Sequence, residues 1–317
     1  MIGLYIALGV IAFFLLATLV IAYITYRITF YSPDKIQNDI HYMPPDEQTD
    51  ARRDEMLAMI DAFDAIPYED VTTTSHDGLK LHARYVRVKD GGPVAICCHG
   101  YRGTSIRDFC GAGLIPRSLG QNLLLIDERA CRDSEGHAIT FGIKERLDIL
   151  TWIEFVRNTF GENTPISLYG ASMGAATVLM VSGLPLPENV THIVADSPYT
   201  APREIIEKVC RVDMHIPPKL AMPFLSLGAK LFAHININDG NVIEAVKKSP
   251  VRILLIHGER DSFVPTEMSR RIAKASPETV TLETFPGAGH VLSYITDQPR
   301  YETLVIDYLS NDQKIHQ

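Results

Sequence analysis

Charge is missing from the start of this 317-residue chain: residues 2–26 contain no Asp, Glu, Lys or Arg. A basic block is missing from the remainder. Lys and Arg total 30 against 38 Asp and Glu, a net charge of −8, whereas nucleic-acid binding needs clustered cations to displace counterions. The five cysteines form no CxxC pair and no Cys/His ligand spacing. That argues against a zinc site or a disulfide framework and for reduced thiols in a cytosolic setting. Internal repeats and low-complexity tracts are absent too. What is present is ordinary for a packed domain, 46% hydrophobic and 21% charged, which excludes a disordered or collagen-like chain.

The uncharged N-terminal run includes Val10-Ile11-Ala12-Phe13-Phe14-Leu15-Leu16. As a helix rising about 1.5 Å per residue it reaches roughly 37 Å, enough to cross a hydrocarbon core of about 30 Å with some tilt. Tyr5 near one end and Tyr23 and Tyr26 near the other suit the two interfaces. A cleavable signal peptide, the competing reading, would carry a basic n-region, a shorter apolar core and a small-x-small cleavage site. We therefore expect a retained single-pass anchor over residues 1–28. Arg27 and Lys35 follow the span and no basic side chain precedes it, so the positive-inside rule directs the bulk of the chain to the cytoplasm. Asn189-Val190-Thr191 matches a glycosylation sequon, which matters only if that domain lies outside.

Residues 29–67 read as a juxtamembrane linker with Pro33, Pro44 and Pro45, followed by an amphipathic helix over residues 51–66 in which Leu57, Ile60 and Phe63 recur at three-residue steps. Residues 68–312 are long enough for one α/β domain. They begin with alternating stretches at 69–75 and 79–88 around His76-Asp77-Gly78, the pattern of a hairpin. Short apolar runs follow at 94–98, 123–126, 166–169, 192–195 and 253–256, with helical patterns at 144–160 and 172–182. Continuous apolar strands are buried on both faces, so the expected fold is α/β, a mostly parallel doubly wound sheet with an N-terminal antiparallel edge.

Ligands of such sheets bind beyond the carboxyl ends of the strands. There the chain places Gly170-Ala171-Ser172-Met173-Gly174, a G-x-S-x-G between a strand and a helix. Serine needs a base to become a nucleophile, and His290, in the Gly/Ala-rich loop after the last strand, is the strongest candidate among eleven histidines. His99 and His257 end strands and read as structural. The imidazole in turn needs a carboxylate: Asp261 follows the 253–256 strand, with Asp196 as its rival. The amides of Met173 and Tyr101 are candidate oxyanion donors, and Arg102 is either a contact for an anionic substrate group or a solvated side chain.

The order of hairpin, HGYRG, DERACRDSEG, GASMG, ADSP, HGERD and GAGH resembles the α/β-hydrolase superfamily over roughly residues 68–310. Within it the chain looks like bacterial membrane-anchored serine hydrolases loosely related to the serine aminopeptidase and monoacylglycerol-lipase groups. The resemblance implies a Ser172, Asp261 and His290 triad, an oxyanion hole from the Tyr101 and Met173 amides, and no cofactor or metal. One departure is that Arg129 is followed by Ala130-Cys131-Arg132, where many relatives carry a His-Gly pattern. The helical cap of the fold falls at about 197–250, where Met214, Met222, Phe224 and Leu225 would form an acyl pocket, lie on the bilayer or pack on the core. The expected activity is hydrolysis of carboxylic, including lipid-like, esters. Peptidase or thioesterase chemistry on the same triad, and a non-catalytic scaffold, are the alternatives.

Overall fold

The computed structural model describes residues 1–32, 39–43 and 45–310; Pro33, Lys35 and Pro44 of the expected linker, and residues 311–312 of the expected domain, lie outside the described residues. Eight strands form one sheet: β1 (Glu69–Thr74), β2 (Lys80–Val86), β3 (Val94–Cys98), β4 (Asn122–Ile126), β5 (Ile166–Ala171), β6 (Val190–Asp196), β7 (Ile253–Gly258) and β8 (Val280–Phe285). Their order is β1-β2-β4-β3-β5-β6-β7-β8. β1 and β2 pair antiparallel, β2 meets β4 antiparallel, and every later pairing is parallel. This is the α/β-hydrolase arrangement, with the hairpin as its antiparallel edge.

The strand sequences explain their places. Every residue of β3, β4, β5 and β7 is buried, whereas β1 alternates between exposed and half-buried positions, as an edge strand does. Alternate side chains of one strand serve opposite layers: Val94, Ile96 and Cys98 join one core cluster, Ala95 and Cys97 the other. Helices Glu145–Phe160 and Met173–Val181 cover the first layer, with Trp152 fully enclosed. Helices Arg53–Asp64 and Gln298–Ser310 cover the second. All five cysteines are free and buried. After β4 the chain is tied down by Arg129, whose buried guanidinium bonds Asp148 at 2.6 Å and Asp77 at 2.9 Å.

Two elements differ from the sequence expectation. The amphipathic helix is Arg53–Asp64, and a short helix, Glu47–Ala51, precedes it in the expected linker because Asp46 caps it by accepting from the Gln48 and Thr49 amides. The N-terminal helix Ile2–Thr29 is long and apolar enough to cross a membrane, and its last turns do not stand free of the domain. Phe30, at its end, is fully buried against Phe141, and Ile139 donates its amide to the Phe30 carbonyl at 2.8 Å. The sequon is also engaged: Asn189 Nδ2 donates to the Thr164 carbonyl at 2.6 Å.

Candidate active site

Ser172 sits at the junction of β5 and the Met173–Val181 helix with φ 53° and ψ −111°, a left-handed conformation rare for a residue with a Cβ. The bend exists because its flanking glycines allow it. A Cβ on Gly170 would lie 2.4 Å from the Gly174 carbonyl oxygen, and one on Gly174 would lie 1.9 Å from that of Cys98. Packing rather than hydrogen bonding therefore dictates the G-x-S-x-G spacing.

His290 reaches the serine from the loop after β8. Its Nε2 lies 2.9 Å from Ser172 Oγ and its Nδ1 2.7 Å from Asp261 Oδ2. Residues 89 and 29 positions apart in sequence thus meet in one hydrogen-bonded line, since 261 − 172 = 89 and 290 − 261 = 29. The carboxylate is held on its other side as well. Asp261 Oδ1 accepts from the Phe263 and Val264 amides at 2.9 and 2.7 Å. His257 Nε2, which also donates to the Val264 carbonyl, stands 3.1 Å from Asp261 Oδ2. Burial pushes the Asp261 carboxyl up, but the charge and hydrogen bonds of His290 and His257 outweigh it and hold it well below the usual carboxylate range.

The rival acid lies elsewhere. Asp196 accepts from Ser197 Oγ at 2.9 Å and Tyr301 Oη at 3.3 Å, and burial pushes its carboxyl up to about 6. It faces the cavity behind the serine and makes no hydrogen bond to His290.

The loop carrying Tyr101 is built by backbone contacts. His99 accepts the Glu128 amide at Nε2 (3.1 Å), which leaves the proton on Nδ1 to donate to the Gly100 carbonyl at 2.8 Å. Burial lowers the pKa of this imidazole and keeps it neutral. Among the described residues the Tyr101 amide enters no backbone hydrogen bond. Met173 is the first residue of its helix, so its amide has no acceptor in a preceding turn. Arg102 is half-exposed and bonded to the chain: its Nη2 donates to the Ile28 and Tyr31 carbonyls at 3.2 and 2.9 Å, and Tyr101 Oη donates to the Thr29 carbonyl at 2.9 Å. A cation here complements the carboxyl end of the N-terminal helix. His82, a strand histidine, is bonded to Asp127 and Asp70 at 2.7 and 2.9 Å, which accounts for the Asp127 carboxylate as well.

A cavity of about 460 Å³ opens beside Ser172 and His290. Its wall is not the 197–250 insertion, from which only Asp213 contributes. Met43, Met56 and Met59 of the juxtamembrane segment line it together with Phe109, Tyr294 and Phe263. The methionine spacing in the Arg53–Asp64 helix was the available signal, but periodicity names a buried face, not what that face covers.

The alpha/beta hydrolase fold family model matches residues 93–225. By sequence the chain is 23% identical over 234 residues to the uncharacterized protein YqkD of Bacillus subtilis strain 168, covering 74% of this chain and 76% of that one. Uncharacterized protein YfhR of Escherichia coli K12 is 24% identical over 229 residues, covering 70% and 73%. In three dimensions the chain resembles the Pyrococcus furiosus esterase Pf2001, with TM-score 0.61 at 23% identity over 77% of this chain and 90% of that one. Est1E from Butyrivibrio proteoclasticus, with ferulic acid bound, gives 0.57 at 20% identity over 76% and 100%.

Proposed function

We propose that this chain, a member of the α/β-hydrolase superfamily, is a membrane-tethered serine esterase that works through an acyl-enzyme on Ser172. The observation that carries this reading is the His290 ring, bonded at one nitrogen to Ser172 Oγ and at the other to Asp261. In the reaction, His290 Nε2 takes the Ser172 proton as Oγ attacks the ester carbonyl. The Tyr101 and Met173 amides receive the developing oxyanion. Asp261 stays ionised, keeps the His290 proton on Nδ1 and stabilises the imidazolium. The imidazolium then protonates the departing alkoxide, and a water deprotonated by His290 releases the acid and frees the serine.

The cavity wall supports acyl esters as substrates, since the three methionines and Phe109 favour a hydrocarbon chain over a charged group. Similarity to two esterase structures points the same way at the level of fold. Helix Ile2–Thr29 serves as the retained anchor, with residues 68–312 forming the catalytic domain on the cytoplasmic side, in keeping with Arg27 and Lys35 and with five buried free thiols.

A fluorophosphonate probe tests the nucleophile on the full chain in membranes. Labelling of the wild type and its loss in Ser172→Ala is expected; a folded wild type that takes no label makes the chain a scaffold. Comparing acyl esters with aminoacyl amides then separates esterase from peptidase, and faster amide turnover would refute the ester assignment.

A further inference from the structure

The exposed part of the described helix Ile2–Thr29 is shorter than the hydrocarbon core of a bilayer. Residues 2–16 are exposed on every side and, at about 1.5 Å each, rise roughly 22 Å. A hydrocarbon core is about 30 Å thick, which draws roughly five more residues, as far as Ile21, below the lipid surface. From Ala17 onward, however, one side of the helix is occupied by protein. Ala17, Thr18 and Thr25 are half-buried and Ala22 and Tyr26 are buried. The helix Pro218–Gly228 of the 197–250 insertion packs along this side. The approach is close: a Cβ on Gly228 would lie 2.4 Å from the Ala22 carbonyl oxygen, and the Phe232 ring stands 5.2 and 5.4 Å from those of Tyr23 and Tyr26. Gly228 sits beside Ala22 and Phe232 beside Tyr23 and Tyr26, so the residues before Gly228 run toward Ala17. Leu220, eight residues earlier, therefore stands nearer the bilayer than Gly228, by no more than about 12 Å.

The surface of the insertion suits such a position. Val212, Met214, Ile216, Leu220 and Leu231 are between 39% and 65% exposed, a cluster of apolar side chains that water does not favour. Exposed Arg211, Lys219 and Lys230 are interspersed with them in a chain of net charge −8. The one acid of this stretch, Asp213, is neutralised by Lys208 Nζ at 3.0 Å. Apolar side chains between cations fit the headgroup boundary of an anionic leaflet. The same stretch borders the cavity: Asp213 lines it, and Lys208 lies over the ring of Phe263, which packs 5.1 Å from the His290 ring.

We infer that the outer face of residues 211–231 is a second membrane contact, seated in the headgroup and upper acyl region of the leaflet nearest the domain. It holds the cavity mouth at that surface. The inference rests on the reading of Ile2–Thr29 as a retained anchor, so its test carries a control for that reading. Because the native cysteines are buried, a single introduced thiol can be labelled selectively in the full chain.

Leu220→Cys, Met214→Cys, Phe14→Cys and Leu119→Cys, each carrying bimane, are reconstituted in vesicles of phosphatidylcholine and phosphatidylglycerol with doxyl-labelled lipid. Leu119 precedes β4, at the amino ends of the parallel strands and so opposite the site, and is exposed. Expected are quenching and a blue shift at Leu220 and Phe14, quenching by shallow doxyl groups at Met214, and neither at Leu119. Quenching at Phe14 with none at Leu220 and Met214 overturns the inference while leaving the anchor intact, and a protein or second copy then covers this face. No quenching at Phe14 removes the anchor reading and the inference with it.

Discussion

Replacing Asp261 by Asn tests the candidate site most sharply, because it keeps the shape and removes one charge. The Asn carbonyl can still accept the Phe263 and Val264 amides, so the loop keeps its local bonds. Its amino group, however, now faces His290 Nδ1 at the 2.7 Å contact. The imidazole answers by placing its proton on Nε2, the atom that must accept from Ser172. The wrong tautomer in a serine triad costs about 10⁴-fold in turnover, or about 5.5 kcal/mol of transition-state stabilisation. Asp196→Asn removes a carboxylate that touches only Ser197 and Tyr301 hydroxyls, each able to reverse its bond. One neutral hydrogen bond is worth about 1 kcal/mol, so less than about tenfold is expected there. The assay is kcat/KM for a water-soluble ester at constant pH, with circular dichroism to confirm folding of both variants. A folded Asp261→Asn enzyme within about tenfold of wild type, or an Asp196→Asn enzyme equally impaired, would refute the assignment of Asp261.

Two further outcomes follow from the buried groups and the cavity. Both carboxyl oxygens of Glu128 are enclosed without a hydrogen-bond partner, and burial, reinforced by Glu145 and Asp148, raises its pKa well above the ordinary value of 4.5. The folded chain then holds a proton that the unfolded chain releases above that pH, so this group erodes stability as pH rises. Glu128→Gln carries no such proton, and its melting temperature relative to wild type should climb between about pH 5 and 8; a constant or narrowing gap contradicts the buried acid. Burying each methylene of an acyl chain is worth about 0.8 kcal/mol, so kcat/KM should rise about fourfold per carbon until the cavity is full. Met59→Trp fills part of that space and should move the plateau to shorter chains with acetate esters unaffected, as read from a chain-length series. An unchanged plateau would place the acyl chain elsewhere.

Much of this molecule is legible from local pattern, because burial on two faces leaves no polar positions in a strand. The apolar runs that became β3 to β7, the hairpin before them and the uncharged N-terminal helix are of this kind. So is the elbow, since a serine between two glycines at a strand-to-helix junction has few other uses. Contacts between distant residues are different, because periodicity identifies a face without identifying its neighbour. Arg102 looked like a free cation until the end of the N-terminal helix, some 70 residues away, supplied the carbonyls it binds. His257 read as a structural residue at a strand end, and the fold supplied Asp261 as the group it braces. The insertion, which carries Met214 and Met222, turned toward the N-terminal helix, while Met43, Met56 and Met59 took the cavity wall. Sequence thus determined which residues had to be buried or bent, through the cost of leaving apolar groups in water and of crowding a backbone. Which of them came to face one another was decided by tertiary packing alone, since a side chain's partner depends on how whole layers close around the sheet.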